Sequence, residues 1–240
     1  MLEIIFIIGI ALIFLIAIFA IRHWKKSRAR LTQLYEQKTI ETIEEKVASA
    51  PHYYLGEYIP KKTGLQDDFS SLIFMFKNYG SLGYKAKQDL VDEFTVQILT
   101  IIAKHKINAD IVIPIPSSRA YTINEGLLRL CEQLSLILGI ECGFAALERI
   151  RSVKKSAFAS NLIDRPSFED HYSSMKVNPI YDLRGKKVIL LDDVYTTGNT
   201  ARAAVQRIYE AGADKVWIIT LAKTKEVYLF GSQQKTDRLF

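Results

Sequence analysis

Residues 188–200 read Val-Ile-Leu-Leu-Asp-Asp-Val-Tyr-Thr-Thr-Gly-Asn-Thr, and this stretch decides the fold. It starts as an apolar run typical of a buried strand, passes through two adjacent carboxylates, and ends in a hydroxyl-rich turn that opens a helix. Backbone N–H groups at a helix N-terminus have no partner within the helix, and Gly198 lets the chain approach an oxyanion closely. The turn at 196–200 therefore predicts a phosphate cradle that contains no lysine.

Two carboxylates, Asp192 and Asp193, stand directly before this turn. They would repel a bare phosphate, but they are suited to accept hydrogen bonds from sugar hydroxyls or to hold a hydrated Mg²⁺ ion. The combination predicts a sugar phosphate that carries a metal. In a purely structural interpretation, the two aspartates mark the end of a strand and Thr200 caps a helix. This interpretation explains only one or two residues of the stretch.

Outside this stretch the chain alternates apolar strands with amphipathic helices. This is typical of an α/β fold in which helices cover both faces of a parallel sheet. Hydrophobic spacing predicts helices from Asp67 or Asp68 to residue 76, and at 85–106, 124–138 and 200–211. Apolar runs predict strands at 111–116, near 144–147, at 187–191 and at 216–221. Ligands of such sheets bind at the carboxyl ends of strands, so functional residues are expected after 116, 147, 191 and 221.

Two further segments carry weaker signals. Residues 52–60 are aromatic-rich and extended, and they favour one face of an edge hairpin over a hood that stacks on a planar base. Residues 149–177 read as an irregular basic and polar stretch. The four histidines are isolated in the sequence and lack the spacing of metal ligands: His23, His52, His105 and His171.

The first thirty residues predict a membrane anchor. Residues 4–21 carry no charged or polar side chain, and as a helix they span about 27 Å, close to the ~30 Å hydrocarbon core. A buried soluble helix and a cleaved signal peptide are the alternatives, but Glu3 is the sole charged side chain before the run. The cationic residues that follow place the N-terminus outside and the rest of the chain in the cytoplasm, with residues 1–30 on the lipid bilayer.

Charge and cysteine content limit the function classes. The formal net charge is +6, of which residues 1–30 contribute +4 and the remaining 210 residues only +2. A dedicated nucleic-acid binder would carry its basic face in the folded body, so this distribution argues against one. Cys131 and Cys142 are too few for a disulfide framework, which favours a reducing compartment. The predicted organisation is a transmembrane helix at 1–22, a basic juxtamembrane segment and helical stalk at 23–50, a domain at 51–225 and a tail at 226–240, with a short self-association helix as the alternative to a stalk at 31–50.

Residues 188–200 closely resemble the signature that binds 5-phosphoribosyl 1-pyrophosphate (PRPP) in type I phosphoribosyltransferases. The form Asp-Asp-Val-Tyr-Thr-Thr-Gly-x-Thr resembles the ComF-type (competence protein) branch. Residues 110–119 resemble that branch's first strand and pyrophosphate loop, and 76–80 resemble its Phe-Lys element. Residues 149–155 are similar to the start of the mobile stretch that closes over substrate, and the likeness as a whole covers 53–222.

The resemblance implies a type I phosphoribosyltransferase-like domain behind a single transmembrane helix and stalk. It implies an enzyme that displaces pyrophosphate from Mg-PRPP with a nitrogen-containing base, with Mg²⁺ as cofactor. Asp192 and Asp193 would be the catalytic residues on the ribose, and they would also contact the Mg²⁺ that PRPP brings. The implied 5′-phosphate site is Thr196, Thr197, Gly198, Asn199 and Thr200, and the implied pyrophosphate site is Ser117, Ser118, Arg119 and Lys77.

Two departures from the ComF pattern keep other functions open. A membrane helix replaces the cysteine-rich zinc segment, so zinc is not expected. Residues 121–125 read Tyr-Thr-Ile-Asn-Glu where the family often has Arg-Gly-Phe-Asn-Gln, which weakens the case for turnover more than for PRPP binding. The alternatives are a non-catalytic module that senses PRPP or a nucleotide, and a competence-type accessory protein that handles single-stranded DNA. The acceptor base, a protein partner and a homo-oligomer are left open.

Overall fold

The computed structural model describes residues 2–60, 67–153 and 166–225 of the chain. These residues form two compact units, of which the first ends at Glu45 and the second begins at Lys46. The predicted C-terminal tail lies outside the described residues. So do residues 154–155 of the segment that resembles the mobile stretch.

The first unit consists of most of helix α1 (Leu2–Ser49), and this helix ends two residues before Pro51. Proline cannot donate a backbone hydrogen bond and disfavours a helical residue before it, so the helix ends there. The side chains of residues 2–21, on which the prediction of a membrane anchor depends, lie outside the described set. Within the described part of the chain, no helix is both long enough and apolar enough to span a membrane.

The second unit alternates strands and helices, as the sequence predicts. In chain order its elements are β1 (His52–Tyr58), α2 (Asp68–Lys77), a 3-10 turn (Tyr79–Ser81), α3 (Tyr84–Lys104), β2 (Ile111–Pro114), α4 (Glu125–Leu138), β3 (Glu141–Cys142), β4 (Leu147–Arg149), α5 (Phe168–Ser174), β5 (Met175–Val177), β6 (Lys187–Tyr195), α6 (Asn199–Glu210) and β7 (Lys215–Thr224). Five strands form a parallel sheet in the order β1-β7-β6-β2-β3, and β4 pairs with β5 in a separate antiparallel ribbon.

Local sequence signals explain where the helices begin and end. The Asp67 side chain caps α2 by accepting a hydrogen bond of 2.7 Å from the Ser70 N–H. The Asn124 side chain caps α4 in the same way, and α4 ends at Gly139, whose φ of 66° is left-handed. The predicted helices are therefore confirmed to within a few residues.

Helices cover the sheet on both faces. Side chains of α2, α3 and α4 share one buried cluster with alternate residues of the central strands, such as Val112, Ile189 and Ile219. On the other face α6 packs against β6 and β7, with Val205 and Ile208 fully buried. The central strands β2, β6 and β7 are thus buried on both sides, which explains the continuous apolar runs in the sequence.

The chain order places a crevice between β2 and β6. From β2 the chain passes through α4 to β3 on one side, and from β6 it passes through α6 to β7 on the other. The two loops that leave these neighbouring strands therefore diverge, and they do so where Pro114 pairs with Leu191. Such a switch point is where open parallel sheets bind ligands.

Four details of the predicted architecture are wrong. Strand β6 continues to Tyr195 because its partner β7 runs on to Thr224, so both aspartates lie within a strand. In place of the strand predicted near 144–147 there are two short strands, β3 before this segment and β4, which begins at Leu147. Residues 149–177 contain β5 and also α5, a seven-residue helix too short for periodicity to reveal but marked by a capping box of Ser167 and Asp170. Strand β1 is no hairpin, because it pairs in parallel with β7.

Candidate active site

A cavity of about 420 Å³ opens at the carboxyl ends of β2 and β6. It is bordered by the end of α2, the loop after β2, the start of α4, the end of β4, helix α5, and the turn from β6 into α6. Its lining residues are Lys77, Asn78, Ile115, Pro116, Ser117, Ser118, Asn124, Leu127, Arg149, His171, Asp192, Asp193, Val194, Tyr195, Thr196, Thr197, Gly198, Thr200 and Ala201. The lining combines carboxylates, cationic groups, hydroxyls and backbone amides.

The two carboxylates stand on adjacent residues of β6 and are half-buried. Asp192 Oδ1 accepts a hydrogen bond of 2.9 Å from the Asp193 N–H, and Asp193 Oδ1 accepts one of 2.6 Å from the Val194 N–H. Burial, followed by the charge of the Asp193 carboxylate, raises the pKa of Asp192 above its usual range. The acidic pair is therefore suited to attract a cation.

One lysine lies close to this acidic pair. The Lys77 ammonium is 3.7 Å from Asp193 Oδ2 and 5.5 Å from the centre of the Tyr58 ring. Lys77 is the last residue of α2, so the packing of that helix on the sheet fixes where the side chain starts. The cation balances one of the two negative charges at this side of the cavity.

The turn into α6 presents backbone amides at the other side of the cavity. Gly198 is the N-cap of α6 with φ of 80° and makes no side-chain cap, and the Asn199 N–H makes a long contact of 3.5 Å with Thr197 Oγ1. A Cβ atom at this position would lie 2.1 Å from the Tyr195 hydroxyl oxygen and 2.4 Å from Cζ. Glycine is therefore required both by the left-handed backbone and by the close approach of the Tyr195 ring. Thr196 and Thr197 are exposed, and their hydroxyls can serve as additional donors.

The loop after β2 differs from its prediction in two ways. The Ser117 N–H donates a 3.0 Å hydrogen bond to the Thr122 carbonyl oxygen, so this amide is already used inside the loop. The Ser117 hydroxyl also contacts the Thr122 hydroxyl. Arg119 is exposed and does not border the cavity. Tyr121 follows with φ of 55°, a left-handed conformation that a tyrosine seldom adopts.

Two buried residues border the cavity without having been predicted as ligand-binding groups. Arg149 lies at the end of β4 and is 1% exposed, and His171 lies in α5 and is 5% exposed. Burial lowers the pKa of Arg149 to about 10 and that of His171 to about 4. Hence at neutral pH the arginine is charged and the histidine is neutral. Neither has a spacing signal in the sequence, because β4 and α5 are too short to be recognised.

The structure brings most of the predicted site residues together. Nine of the eleven border the cavity: Lys77, Ser117, Ser118, Asp192, Asp193, Thr196, Thr197, Gly198 and Thr200. Arg119 does not, and the Asn199 side chain instead donates a 3.2 Å hydrogen bond to the Pro166 carbonyl oxygen. In the described residues no group of three or more His, Cys, Asp or Glu side chains could hold a metal ion. The arrangement can hold an anion at the α6 turn and hydroxyls or a cation at the aspartates.

A family model described as "Phosphoribosyl transferase domain" matches residues 87–236. The chain belongs to this family. The match spans the loop after β2, the acidic pair and the turn into α6, which all border the cavity. It confirms the type I phosphoribosyltransferase domain with its parallel α/β sheet, and it supports an enzyme of the phosphoribosyltransferase class.

Two curated proteins illustrate the range of relatives. An amidophosphoribosyltransferase from Methanothermobacter thermautotrophicus is 28% identical over 116 residues, which is 47% of this chain and 21% of that protein. A bifunctional protein PyrR from Clostridium perfringens is 33% identical over 132 residues, 52% of this chain and 67% of that protein. This phosphoribosyltransferase-family chain thus spans a fifth of the first relative and two thirds of the second. Among solved structures, purine phosphoribosyltransferase from Pyrococcus horikoshii aligns with 23% identity and a TM-score of 0.35, covering 57% of this chain and 77% of that one.

Proposed function

We propose that this protein is a membrane-anchored, ComF-like phosphoribosyltransferase that transfers a phosphoribosyl group from Mg-PRPP to a nitrogen-containing base. The observation that carries the proposal is the composition of the cavity between β2 and β6. The cavity offers what the two parts of a sugar phosphate need, because its lining combines an acidic pair with a helix N-terminus whose N-cap residue is a glycine.

Each part of PRPP has a partner in this arrangement. The 5′-phosphate would bind the backbone amides and hydroxyls at 196–200, where the α6 dipole favours negative charge. The ribose hydroxyls would donate to Asp192 and Asp193. The pyrophosphate would lie toward Ser118 and Lys77, with the buried charge of Arg149 behind the loop. When the base nitrogen bonds to C1 and the bond to pyrophosphate breaks, the carboxylates would stabilise the positive charge that develops on the ribose.

The donor set fits a Mg²⁺ ion that arrives with the substrate. Mg²⁺ is usually held by one or two carboxylates together with substrate phosphates and waters, and Asp192 and Asp193 border the cavity. When bound, the ion supplies charge that stabilises the leaving pyrophosphate. Lys77 would have to give up its contact with Asp193 for that carboxylate to face a metal.

Turnover is tested by incubating the full chain with Mg-PRPP and a panel of nitrogen bases and measuring released pyrophosphate. Asp193→Asn removes a charge-assisted acceptor, which costs on the order of 1.5–3 kcal/mol and lowers activity roughly ten- to a hundredfold. The matched control is Asp214→Asn, an exposed aspartate just before β7 at the amino ends of the strands. Equal activity of the two variants would contradict the role of the acidic pair.

A non-catalytic, PRPP-sensing module is the second candidate. It is favoured by the exposure of Arg119 outside the cavity and by the Ser117 amide that is already bonded to Thr122. Both features reduce the donors available to a leaving pyrophosphate. Binding of Mg-PRPP without pyrophosphate release for any base would select this candidate. Salt-dependent binding of single-stranded DNA would select the competence-type alternative instead.

Membrane anchoring rests on the apolar run at 4–21 and on the cationic residues after it, of which Arg22, Lys25 and Lys26 are exposed. We expect the full chain to stay in membranes that are washed with alkaline carbonate, and a Leu12→Lys/Leu15→Lys double variant to be released. Protease added to intact cells should leave the domain uncut. Digestion of the domain would reverse the proposed cytoplasmic orientation.

A further inference from the structure

A chain of polar side chains runs along the wall of the cavity from the loop after β2 to the first turn of α6. Arg149 Nε donates a 2.6 Å hydrogen bond to the Ser117 carbonyl oxygen, and Arg149 Nη2 lies 3.5 Å from His171 Nδ1. Thr200 Oγ1 lies 3.3 Å from His171 Nε2 and 3.4 Å from Nδ1. The two loops that flank the cavity are thus joined through α5.

The centre of this chain is shielded from water. Arg149 and His171 are almost fully buried, and Ser174, which accepts from Arg149 Nη1, is completely so. Among the described residues no carboxylate lies within ion-pair distance of the Arg149 guanidinium. The Asp192 carboxylate attracts the Arg149 cation from beyond ion-pair distance, but burying a cation without a direct ionic partner is still costly, so further compensation is expected. An anion in the adjoining cavity would supply that compensation.

The hydrogen-bond directions follow from the chemistry of the groups. Arg149 can only donate, so His171 Nδ1 accepts from it and the neutral ring carries its proton on Nε2. Thr200 Oγ1 lies almost equally far from both ring nitrogens, 3.3 Å from Nε2 and 3.4 Å from Nδ1, so it packs against the imidazole ring and neither nitrogen points directly at it. Thr200 also borders the cavity, so its hydroxyl can donate toward an anion held at the α6 turn.

We propose that Arg149 and His171 are positioning residues that fix the distance and relative orientation of the loop after β2 and the turn into α6. One PRPP molecule can then bind to both at the same time. This inference rests on the proposed function, since it assumes that the pyrophosphate lies at the loop after β2 and the 5′-phosphate at the α6 turn. Neither residue needs to touch the ligand. Their effect is largest for a ligand that spans both loops and small for a ligand that occupies one.

Three probes separate this role from a general effect on folding: Mg-PRPP, Mg-pyrophosphate and ribose 5-phosphate, titrated into the full chain. In His171→Phe we expect PRPP affinity to fall tenfold or more, and the affinity for each of the smaller probes to change less than threefold. The matched control is His105→Phe, because the exposed His105 ring contacts Tyr53 away from the cavity and its replacement should change none of the three affinities. Arg149→Lys keeps the buried charge but loses the planar fork that reaches both Ser117 and His171, so it should give the same pattern.

The outcomes distinguish the inference from the function on which it rests. If the unaltered chain does not bind Mg-PRPP, the proposed function fails and the inference fails with it. If the unaltered chain binds Mg-PRPP but His171→Phe and Arg149→Lys leave that affinity intact, the positioning role alone is overturned. It is also overturned if the variants weaken ribose 5-phosphate as strongly as PRPP, because that pattern indicates a locally disordered turn.

Discussion

Gly198→Ala is the substitution for which the structure gives the most specific expectation. An alanine at φ of 80° pays the left-handed penalty of about 1–2 kcal/mol. Its Cβ would also lie 2.1 Å from the Tyr195 hydroxyl oxygen, so the Tyr195 ring must move. That ring stacks on His52 with 4.1 Å between centroids, a contact worth about 0.5–1.5 kcal/mol. The total loss of stability is about 2–3 kcal/mol.

The matched control for this substitution is Gly185→Ala. Gly185 has φ of 70°, and a Cβ there would meet nothing within 4 Å, so this variant carries the left-handed penalty alone. The Gly198→Ala variant should therefore be less stable than the Gly185→Ala variant by about 1 kcal/mol. In thermal melting this corresponds to a melting temperature that is lower by roughly 2–4 °C for a chain of this size. Calorimetric titration should show PRPP affinity reduced tenfold or more in Gly198→Ala alone.

A double-variant cycle checks the physical cause. With Tyr195→Ala already in place, adding Gly198→Ala should cost about 1 kcal/mol less than it does beside the tyrosine, because the collision is gone. The reasoning is refuted if the Gly198→Ala and Gly185→Ala variants have the same melting temperature and bind PRPP with the same affinity.

Three further results are expected. Burial lowers the pKa of His52 and of His171 to about 4, below the unfolded value of 6.5, so the stability contributed by the neutral rings is fully present above pH 6.5 and declines as the pH falls toward 4. Because solvent reaches part of each ring, each should contribute on the order of 1–2 kcal/mol. In thermal melting, His52→Asn should therefore reduce the change of melting temperature between pH 6.5 and pH 4. In a calorimetric titration, Lys77→Gln should weaken PRPP binding by about 1 kcal/mol, roughly fivefold. The control is Lys87→Gln, which removes an ion pair with Glu125 outside the cavity and should leave PRPP binding unchanged. Cys131 Sγ and Cys142 Sγ lie 3.0 Å apart as free thiols, so oxidised glutathione should convert them into a disulfide with release of two reduced glutathiones. Thiol counting and mass spectrometry measure this reaction, and two thiols that stay free would contradict the prediction.

The sequence predicts the part of the site that is contiguous in the chain. Strand β6, the acidic pair and the turn into α6 are local features, and each residue's type reflects its own backbone conformation or chemistry. The helices were predictable for the same reason, since caps such as Asp67 and Asn124 act within three residues.

The parts that could not be predicted depend on contacts between distant segments. Strand β6 extends past Leu191 because β7 lies beside it, and β1 joins the sheet in parallel because the chain returns through helices. Arg149 and His171 meet only when β4 and α5 pack along the wall of the cavity, 22 residues apart in the chain. The accessibility of Arg119 and of the Ser117 amide depends on how the loop folds on Thr122, which its composition does not reveal.

Calorimetric titration of Mg-PRPP into the full chain, held in detergent micelles, tests the central claim most directly. The account predicts saturable binding of one PRPP per chain, a higher melting temperature in its presence, and much weaker binding by Asp193→Asn than by Asp214→Asn. Absence of binding heat and of a melting shift at millimolar Mg-PRPP would contradict it.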